Sequence, residues 1–553
     1  MMKITEQQDL ILSYEGCAVV IASPGSGKTF VLSKKIKQNL KALKAHEGVI
    51  AISYTNKASD ELRNRSLSEG ENPMSSFFGT IDKFYISEII VPFGKHIWGI
   101  PENEIEIKKI DSLPEDEKSL FDWFTRDVSL DAIQYYQIDV FKEYFKKGLV
   151  FIEAIGVMAN YIYSNSCACR KYIKARYKYL YIDEYQDSGL SQHELFLKIK
   201  NLGVVSVAVG DLNQSIYAFS GKDSRYLDEL TRNAEFKYFV LDKNHRCHSS
   251  IINYSNYLLN HKTELLRSEK STVYFRRIDG WELNVSVWID RNVPEILKVF
   301  NVERHNQIAI LTRGNRTADL INRNLKTSHK LFIGNDLDNN LNVWSGIFSN
   351  LLSYQMDPKR RFVDVVEEFI SFEKLSRRKK NELNALKNRL GRDTVYDNEV
   401  KGEMREIFKE IAKIISPNSE NNDSVILLDK VLQNRQEFES YRPADDNELN
   451  IMTLHKSKGL EYDVVIHLDL HEWILPNKRP GVNNDFNNPV YGDYNQDINL
   501  HYVGITRARK ACILISSTKR TNSNNEVRVG RDSEFLWVNQ IENLRNKRSD
   551  GRN

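Results

Sequence analysis

With 553 residues, 41% of them hydrophobic and 28% charged, the chain is too long for one ordinary core and has the composition of a soluble protein with several domains. Lys and Arg number 78 against 75 Asp and Glu, and a net charge of +3 neither demands nor excludes nucleic acid, so any such surface must be local. No apolar run approaches the roughly 18 residues of a membrane span, the start MMKITEQQ lacks a leader's apolar core, and Cys17, Cys167, Cys169, Cys247 and Cys512 lack paired zinc spacing. A cytoplasmic protein with free thiols and no membrane contact is the expectation.

Residues 4–8 precede a short apolar helix pattern, and a Gln amide there offers a donor and an acceptor that suit the edge of adenine, a solvated Gln being the plain alternative. The β-prone run 17–22 then enters Ser23-Pro24-Gly25-Ser26-Gly27, where small residues let several N–H groups converge. A helix follows from Lys28 or Thr29, with Val31, Leu32 and Ile36 at helical spacing and its positive end on the same point. This is an anion cradle in which Lys28 would neutralise β- and γ-phosphates and the Thr29 hydroxyl would ligate Mg²⁺. The strict motif has Gly where this chain has Ala22, and a loop that only turns a corner is the bland alternative.

A second buried strand (48–53) leads into Tyr54 and a helix, and strands alternating with helices imply a parallel sheet with ligands at its C-terminal edges. Thr80 sits at such an edge. Residues 84–178 read as an inserted helical segment rich in aromatics, Phe121, Tyr135, Tyr136, Phe141, Tyr144 and Phe145 among them, more simply core than base-stacking platform. The strand 179–182 ends on Asp183, suited to Mg²⁺, and Glu184, suited to polarising water. After strand 204–209, Gln214 is placed to sense a γ-phosphate, while Tyr217 and Phe219 face bases or core. Arg246 is a candidate arginine finger.

A second α/β pattern starts at 307–313, with a helix over 317–325 and a strand near 331–333. Residues 344–441 turn helical, with Leu383, Leu386 and Leu390 in a stripe beside Arg377-Arg378-Lys379-Lys380. The pattern resumes at 449–468. Residues 476–499, rich in Asn, Gly and Pro, read as a long loop, and a helix through Tyr502 with a strand over 512–516 closes the sheet.

Taken together, TEQQ, ASPGSGKT, YTNKA, GTID, YIDEYQDS, VGDLNQSIYAF, NHR, MTLHKSKGLEY and YVGITRA resemble, in order, the motifs of the UvrD/Rep/PcrA group of superfamily 1A DNA helicases. The resemblance implies an α/β fold of two RecA-like parallel-sheet domains in tandem, each with a mostly helical insertion. The first would take residues 1–83 and 179–235 with insertion 84–178, the second 236–343 and 442–520 with a reduced insertion 344–441, and 521–553 would be a polar tail. ATP, or another NTP or dNTP, would lie between the sheets with Mg²⁺. Ser23, Pro24, Gly25, Ser26, Gly27, Lys28 and Thr29 would cradle it, with Gln8 on adenine and Asp183 joining Thr29 at the metal. Glu184 would act on water, Gln214 read the γ-phosphate, Arg246 and Arg507 serve as fingers, and Glu461, next to Gly459, take the ribose. Single-stranded DNA would pass Tyr54, Thr80, Tyr217, Phe219, His455 and Lys458.

Departures from the group carry expectations of their own. Phe30 and His245 stand where the group has adenine-stacking Arg and Tyr, implying looser base selectivity. Phe219-Ser220-Gly221 replaces WRG and Asp82 replaces the His of GTFH, implying a weaker DNA grip, and the short second insertion argues against strong unwinding by the lone chain. The compact layout and the stretch 79–93, GTIDKFYISEIIVPF, resemble the helicase-like subunits of Gabija anti-phage systems, which implies a GajA-like OLD-family nuclease as partner in a hetero-oligomer on single-stranded or partly duplex DNA. A 3′-to-5′ translocase in defence, a DNA repair helicase and a DNA-sensing regulatory subunit all stay open.

Overall fold

Short apolar runs separated by amphipathic helices fold into two parallel sheets. The computed structural model describes residues 4–546 other than 69, 104, 125–127, 217–220, 333, 341, 371, 373–374, 392–397, 418–419 and 523–525. The first sheet holds β1 (Ala18–Ala22), β2 (Gly48–Ile52), β3 (Phe77–Gly79), β4 (Tyr177–Ile182), β5 (Val205–Gly210) and β6 (Lys237–Leu241) in the spatial order β3-β2-β4-β5-β1-β6. The second holds β7 (Val273–Ile278), β8 (Ile308–Thr312), β9 (His329–Phe332), β10 (Leu449–Thr453), β11 (Tyr462–His467) and β12 (Ala508–Ser517) in the order β9-β10-β8-β11-β12-β7. Neighbours in both are parallel throughout.

Helices cover both faces of each sheet, which is why the central strands are buried at successive residues rather than at alternate ones. β2, β8, β10 and β11 are buried end to end. Along β1 the side chains divide by parity: Val19 joins the core shared with the first insertion, while Ala18, Val20 and Ala22 pack on Val31, Leu32 and Ile36 of the helix after the phosphate-type loop. That packing fixes the loop between strand and helix.

Between β3 and β4 the chain forms helices Val91–Trp98, Tyr135–Lys146, Ile155–Asn165 and Cys167–Arg176, after a π-helical stretch Tyr85–Ile90. Phe121, Phe141, Tyr144 and Phe145 are interior here, whereas Tyr135 and Tyr136 stand open to solvent at the start of their helix. Between β9 and β10, helices Val343–Met356, Arg377–Leu390, Asn398–Ile415 and Asn422–Gln433 build a core of their own around Trp344, Phe348, Leu383, Phe408 and Leu428. Leu383, Leu386 and Leu390 point inward, and Arg377 and Arg378 are exposed. Among the described residues no helix is long and apolar enough to cross a membrane.

Two expectations are corrected. Residues 476–499 are not a long loop but an antiparallel hairpin, Lys478–Gly481 with Asp485–Tyr491, followed by helix Tyr494–Thr506. Lys478 and Tyr491 both reach Glu534 at 3.0 Å, so partners distant in sequence order a stretch with little periodicity of its own. Residues beyond 521 are likewise not simply a polar tail: Phe535, Leu536 and Ile541 are fully buried, and the Arg545 guanidinium lies over Phe275, 5.0 Å from its ring centre. These residues form 3₁₀ turns, whose spacing gives no helical or strand signature.

Candidate active site

β1 hands the chain to residues 23–27, and helix Lys28–Leu40 begins at Lys28. Gly25 and Gly27 hold φ of +70° and +88°, the left-handed region that glycine enters freely. A Cβ on Gly25 would stand 2.6 Å from Asn244 Oδ1 and from the Cβ of Arg246, so glycine also admits the segment after β6. Gln8 lies beneath the loop, giving Nε2 to the Ser26 carbonyl at 3.1 Å, and a reciprocal cap with Thr5 fixes its helix start. The Ser26 hydroxyl is buried without a partner among the described residues.

β4 delivers the carboxylates. Lys28 Nζ sits 3.2 Å from Glu184 Oε1, and Thr29 Oγ1 sits 3.5 Å from Asp183 Oδ2. Glu184 has φ +55° and ψ 42°, a conformation that costs a non-glycine residue about 1–3 kcal/mol and is held by its surroundings. Gln186 is part of that hold: Nε2 donates to Glu184 Oε2 at 2.5 Å and Oε1 accepts from Asp211 N at 3.0 Å. Burial, reinforced by Glu184, pushes the Asp183 carboxyl up. Burial presses Glu184 in the same direction, but Lys28, Lys458 and the Gln186 amide overcome it and hold Glu184 well below the usual carboxylate range. One carboxylate therefore stays charged beside a partner that takes a proton more readily.

The second sheet closes the cleft with cations. Arg507, at the end of helix Tyr494–Thr506, gives Nη2 to Gln214 Oε1 at 3.1 Å and Nε to Val503 O at 3.1 Å. Burial and the neighbouring Arg246 push its guanidinium down to about 10, still protonated at neutral pH. Arg246 pairs with Glu461 at 2.8 Å and donates to Thr506 O at 2.9 Å. Gln214 in turn gives Nε2 to Asp211 Oδ2 at 2.7 Å. Lys458 bridges the sheets, 2.5 Å from Asp187 Oδ2 and 2.6 Å from Gln214 O.

Lys28, Thr29, Asp183, Glu184, Gln214, Arg246, Arg507 and Glu461 thus converge on one cleft. His245 reaches the loop only through its backbone, N to Gly25 O at 2.9 Å, and its ring is exposed. The Lys34 ammonium covers Phe30 at 5.0 Å. Gly459, at φ +82°, has nothing within 4 Å of a would-be Cβ.

Of the residues expected on DNA, Tyr54 and Thr80 line a cavity of about 460 Å³ beside the carboxylates, together with Asp82, Asp187 and Lys222. The Thr80 hydroxyl accepts from Lys83 N at 3.4 Å, capping helix Ile81–Phe84. His455 is half-buried and neutral, pushed down to about 4 by burial, Arg313 and Lys458. Lys458 corrects the expectation: its side chain is turned inward onto a fully buried Asp187 rather than outward to a strand. Tyr217 and Phe219 lie outside the described residues.

Gln186, Asp187, Asp211 and Asn244 escape the reading of the sequence. Gln186 and Asp187 belong to the string YIDEYQDS, so the signal was present as polar residues directly after two strand-end acids. Asn244 shows as an Asx turn, its Oδ1 accepting from Arg246 N at 2.8 Å and Cys247 N at 2.9 Å. The donor set fits a nucleoside triphosphate with a hard cation: two glycines that leave room, the unpartnered Ser26 hydroxyl, a half-buried Lys28, and the oxygens of Thr29 and Asp183.

Two parallel sheets with a phosphate-type loop on one and Arg507 presented by the other define the class, an NTPase built from two RecA-like domains. The chain matches the family model of an AAA domain over residues 7–220 and that of the UvrD-like helicase C-terminal domain over residues 353–519. The UvrD-like helicase C-terminal model and the ATP-dependent DNA helicase relatives support an ATP-dependent DNA helicase enzyme. Gabija protein GajB of Bacillus cereus (strain VD045) is 27% identical to it, over 93% of this chain and 95% of the relative. ATP-dependent DNA helicase Rep of Buchnera aphidicola subsp. Schizaphis graminum (strain Sg) is 23% identical over 91% of each, and ATP-dependent DNA helicase PcrA of Staphylococcus epidermidis (strain ATCC 35984 / DSM 28319 / BCRC 17069 / CCUG 31568 / BM 3577 / RP62A) is 25% identical over 47% of this chain and 40% of the relative.

Proposed function

We propose that the chain is a DNA-stimulated NTP hydrolase and 3′-to-5′ single-strand translocase that works in anti-phage defence beside a GajA-like OLD-family nuclease. The observation that carries the motor reading is the bond from Arg507 to Gln214, which ties the second sheet to the residue placed to face a γ-phosphate. Lys28 would hold the β- and γ-phosphates, Thr29 and Asp183 would hold Mg²⁺, and Glu184, kept ionised, would take the proton of an attacking water. Bound Mg²⁺ would draw charge from the phosphate oxygens. Arg246 and Arg507 would release Glu461 and Gln214 to meet the transferring phosphoryl group, so that turnover alternately makes and breaks the cross-cleft bonds. The four-part division with bounds at 83, 178, 343, 441 and 520 belongs to this proposal, as does a DNA path past Tyr54, Thr80 and His455; the expected bound at 235 is corrected to beyond 241, because β6 (Lys237–Leu241) pairs with β1 in the first sheet.

The defence role rests on likeness to Gabija protein GajB over nearly the full length of both chains. A repair helicase is the competing role, on the likeness to Rep. A DNA-sensing regulatory subunit is favoured by a different observation: the second insertion docks on the first domain through the Arg63–Glu367 ion pair and Lys83 over the Phe369 ring at 5.8 Å, next to Thr80. Steady-state ATP hydrolysis with and without single-stranded DNA, beside Lys28→Ala, tests the motor. Stimulation lost in the variant supports it, and no hydrolysis in either condition overturns it in favour of the sensor. Strand displacement by the chain alone separates the translocase from a subunit that needs its nuclease.

A further inference from the structure

Beside the cavity that Tyr54 and Thr80 line, a second of about 300 Å³ opens between the first domain and its insertion. Ile81, Asp82, Gln192 and Lys222 line both, so the two are one continuous cleft with these residues at the seam. Helix Ile81–Phe84, capped by Thr80, carries Asp82, and helix Leu190–Lys200 carries Gln192. Asp82 is open to solvent and Lys222 is half-buried, and among the described residues neither side chain has a hydrogen bond or an ion pair. Burial among the cleft walls still pushes the Asp82 carboxyl up, and Lys222 is the charge that opposes the rise. Past the seam the second cavity turns apolar, with Ile152, Ile155 and Val157, and with a Phe124 ring held edge to face on Phe141 at 5.6 Å.

A cleft of this make-up suits a base rather than the backbone of a nucleic acid. Asp82 repels phosphate oxygens, whereas a planar base can lie against Phe124 and the aliphatic side chains and turn its edge to the seam. The volume stands at the lower end of small-molecule sites, room for one such ring system. A carboxylate at the edge of a base accepts N–H donors, and an ammonium beside it donates to an acceptor. Guanine supplies both on its Watson–Crick edge: N1–H and N2–H side by side for the two carboxylate oxygens, and O6 for the ammonium. Cytosine and adenine offer the carboxylate one amino group and thymine one ring N–H, so each leaves a carboxylate oxygen unmatched. We propose that Asp82 and Lys222 read the edge of an unpaired guanine of single-stranded DNA seated in this second cavity. The inference rests on the DNA path proposed above and gives that path a base preference.

Fluorescence anisotropy of labelled single strands with the full chain tests it. The strands are thymine throughout, or thymine with guanine, inosine or 7-deazaguanine at every third position. Guanine strands are expected to bind about tenfold tighter than thymine strands, the scale of a bidentate base contact. Inosine, which lacks the N2 amino group, should lose most of that gain, and 7-deazaguanine, whose Watson–Crick edge is intact, should keep it. Asp82→Asn, with one acceptor in place of two, should abolish the gain and leave thymine strands bound, and Lys222→Met should reduce the gain. The base analogues need no variant, so they decide the matter should either variant fail to fold. Equal binding of guanine, inosine and thymine strands, a gain lost with 7-deazaguanine, or an Asp82→Asn chain that binds every strand more tightly by the same factor would each overturn the proposal while leaving the DNA reading intact. No binding of any strand would overturn both.

Discussion

Arg507 of the second sheet's last helix donates Nη2 to Oε1 of Gln214, at the end of the first sheet's β5, over 3.1 Å. The same guanidinium serves Val503 O and Leu460 O, so it arrives at the cleft already oriented. Pre-orientation of that kind lets a cation stabilise developing charge without first reorganising.

Arg507→Ala should therefore lower kcat by on the order of 10³-fold while leaving the nucleotide KM within a few-fold, the pattern of a contact made in the transition state. Arg507→Lys should not restore it, because one ammonium cannot reproduce a fork that meets four acceptors. Pre-steady-state and steady-state hydrolysis measure both, and a kcat within threefold of wild type for either variant would end the finger assignment.

Lys458 gives a second, contrasting case. Its partner Asp187 is fully buried and pushed up to about 6 by burial, with Lys458 the group that most opposes the rise. Removing one member of a buried pair costs about 3–5 kcal/mol, whereas replacing both with apolar groups of similar size is nearly neutral. Lys458→Met alone should lose stability on that scale, and adding Asp187→Leu should recover most of it. The salt dependence of single-strand binding should keep its slope, since no phosphate contact is lost. A slope that falls by about one would return Lys458 to the DNA.

Gln186 links Glu184 to Asp211 through one amide, and its own side chain is fully buried. Gln186→Glu removes the donor and sets a second negative charge beside Glu184, raising the carboxyl that the site keeps ionised. Hydrolysis should fall about 10- to 100-fold with the acid limb of the pH–rate profile moved up, while a fluorescent nucleotide binds as before. An unshifted acid limb would reduce Gln186 to packing.

How far the chain could be read before its structure follows from the range of the interactions. The loop at Gly25 and Gly27, the apolar strands and the acids ending β4 are local features, and each was legible because neighbouring residues decide it. Lys458 was misread because its partner lies 271 positions away and nothing near it says whether the ammonium faces in or out. The hairpin at 478–491 and the turns around Phe535 were missed for the same reason, since Glu534 and the second sheet order them from a distance. Gln186 was visible as a letter and not as a bridge.

The buried imidazoles of His467 and His501 set a pH dependence of stability. His467 Nδ1 donates to Leu468 O at 2.9 Å, so its Nε2 accepts from His501 Nδ1 at 3.0 Å, and His501 Nε2 has no partner among the described residues. Burial pushes His467 down to about 4, and burial, His467 and Arg545 push His501 well below the usual imidazole range. The unfolded chain takes up these protons near pH 6.5 and the folded chain does not, so stability is held above that pH and lost as pH falls towards 4, at about 1.4 kcal/mol per unit for each group. Asp187 works in the opposite sense, so a paired variant isolates the effect. In urea unfolding, His501→Gln should lose about 2 kcal/mol less than wild type between pH 7 and pH 5. Equal losses would show that the pair is not held neutral.

Phe30 and His245 bear on which base the cleft accepts. The Phe30 ring is half-buried with the Lys34 ammonium over it, and His245 presents its backbone rather than its ring to the loop. Neither supplies a base-edge hydrogen bond, and stacking alone discriminates weakly because every base has a π-face. Gln8, the amide best placed to read adenine, spends its Nε2 on Ser26 O and its Oε1 on Thr5 N. ATP and GTP should therefore be hydrolysed with kcat/KM values within about threefold, since selectivity of 10⁴ or more requires a polar edge left unpaired by the wrong base. Phe30→Arg adds a guanidinium that can stack and donate, and should shift preference by tenfold or more in either direction. A wild-type preference for ATP above a hundredfold would mean that Gln8 exchanges its loop contacts for the adenine edge when nucleotide binds.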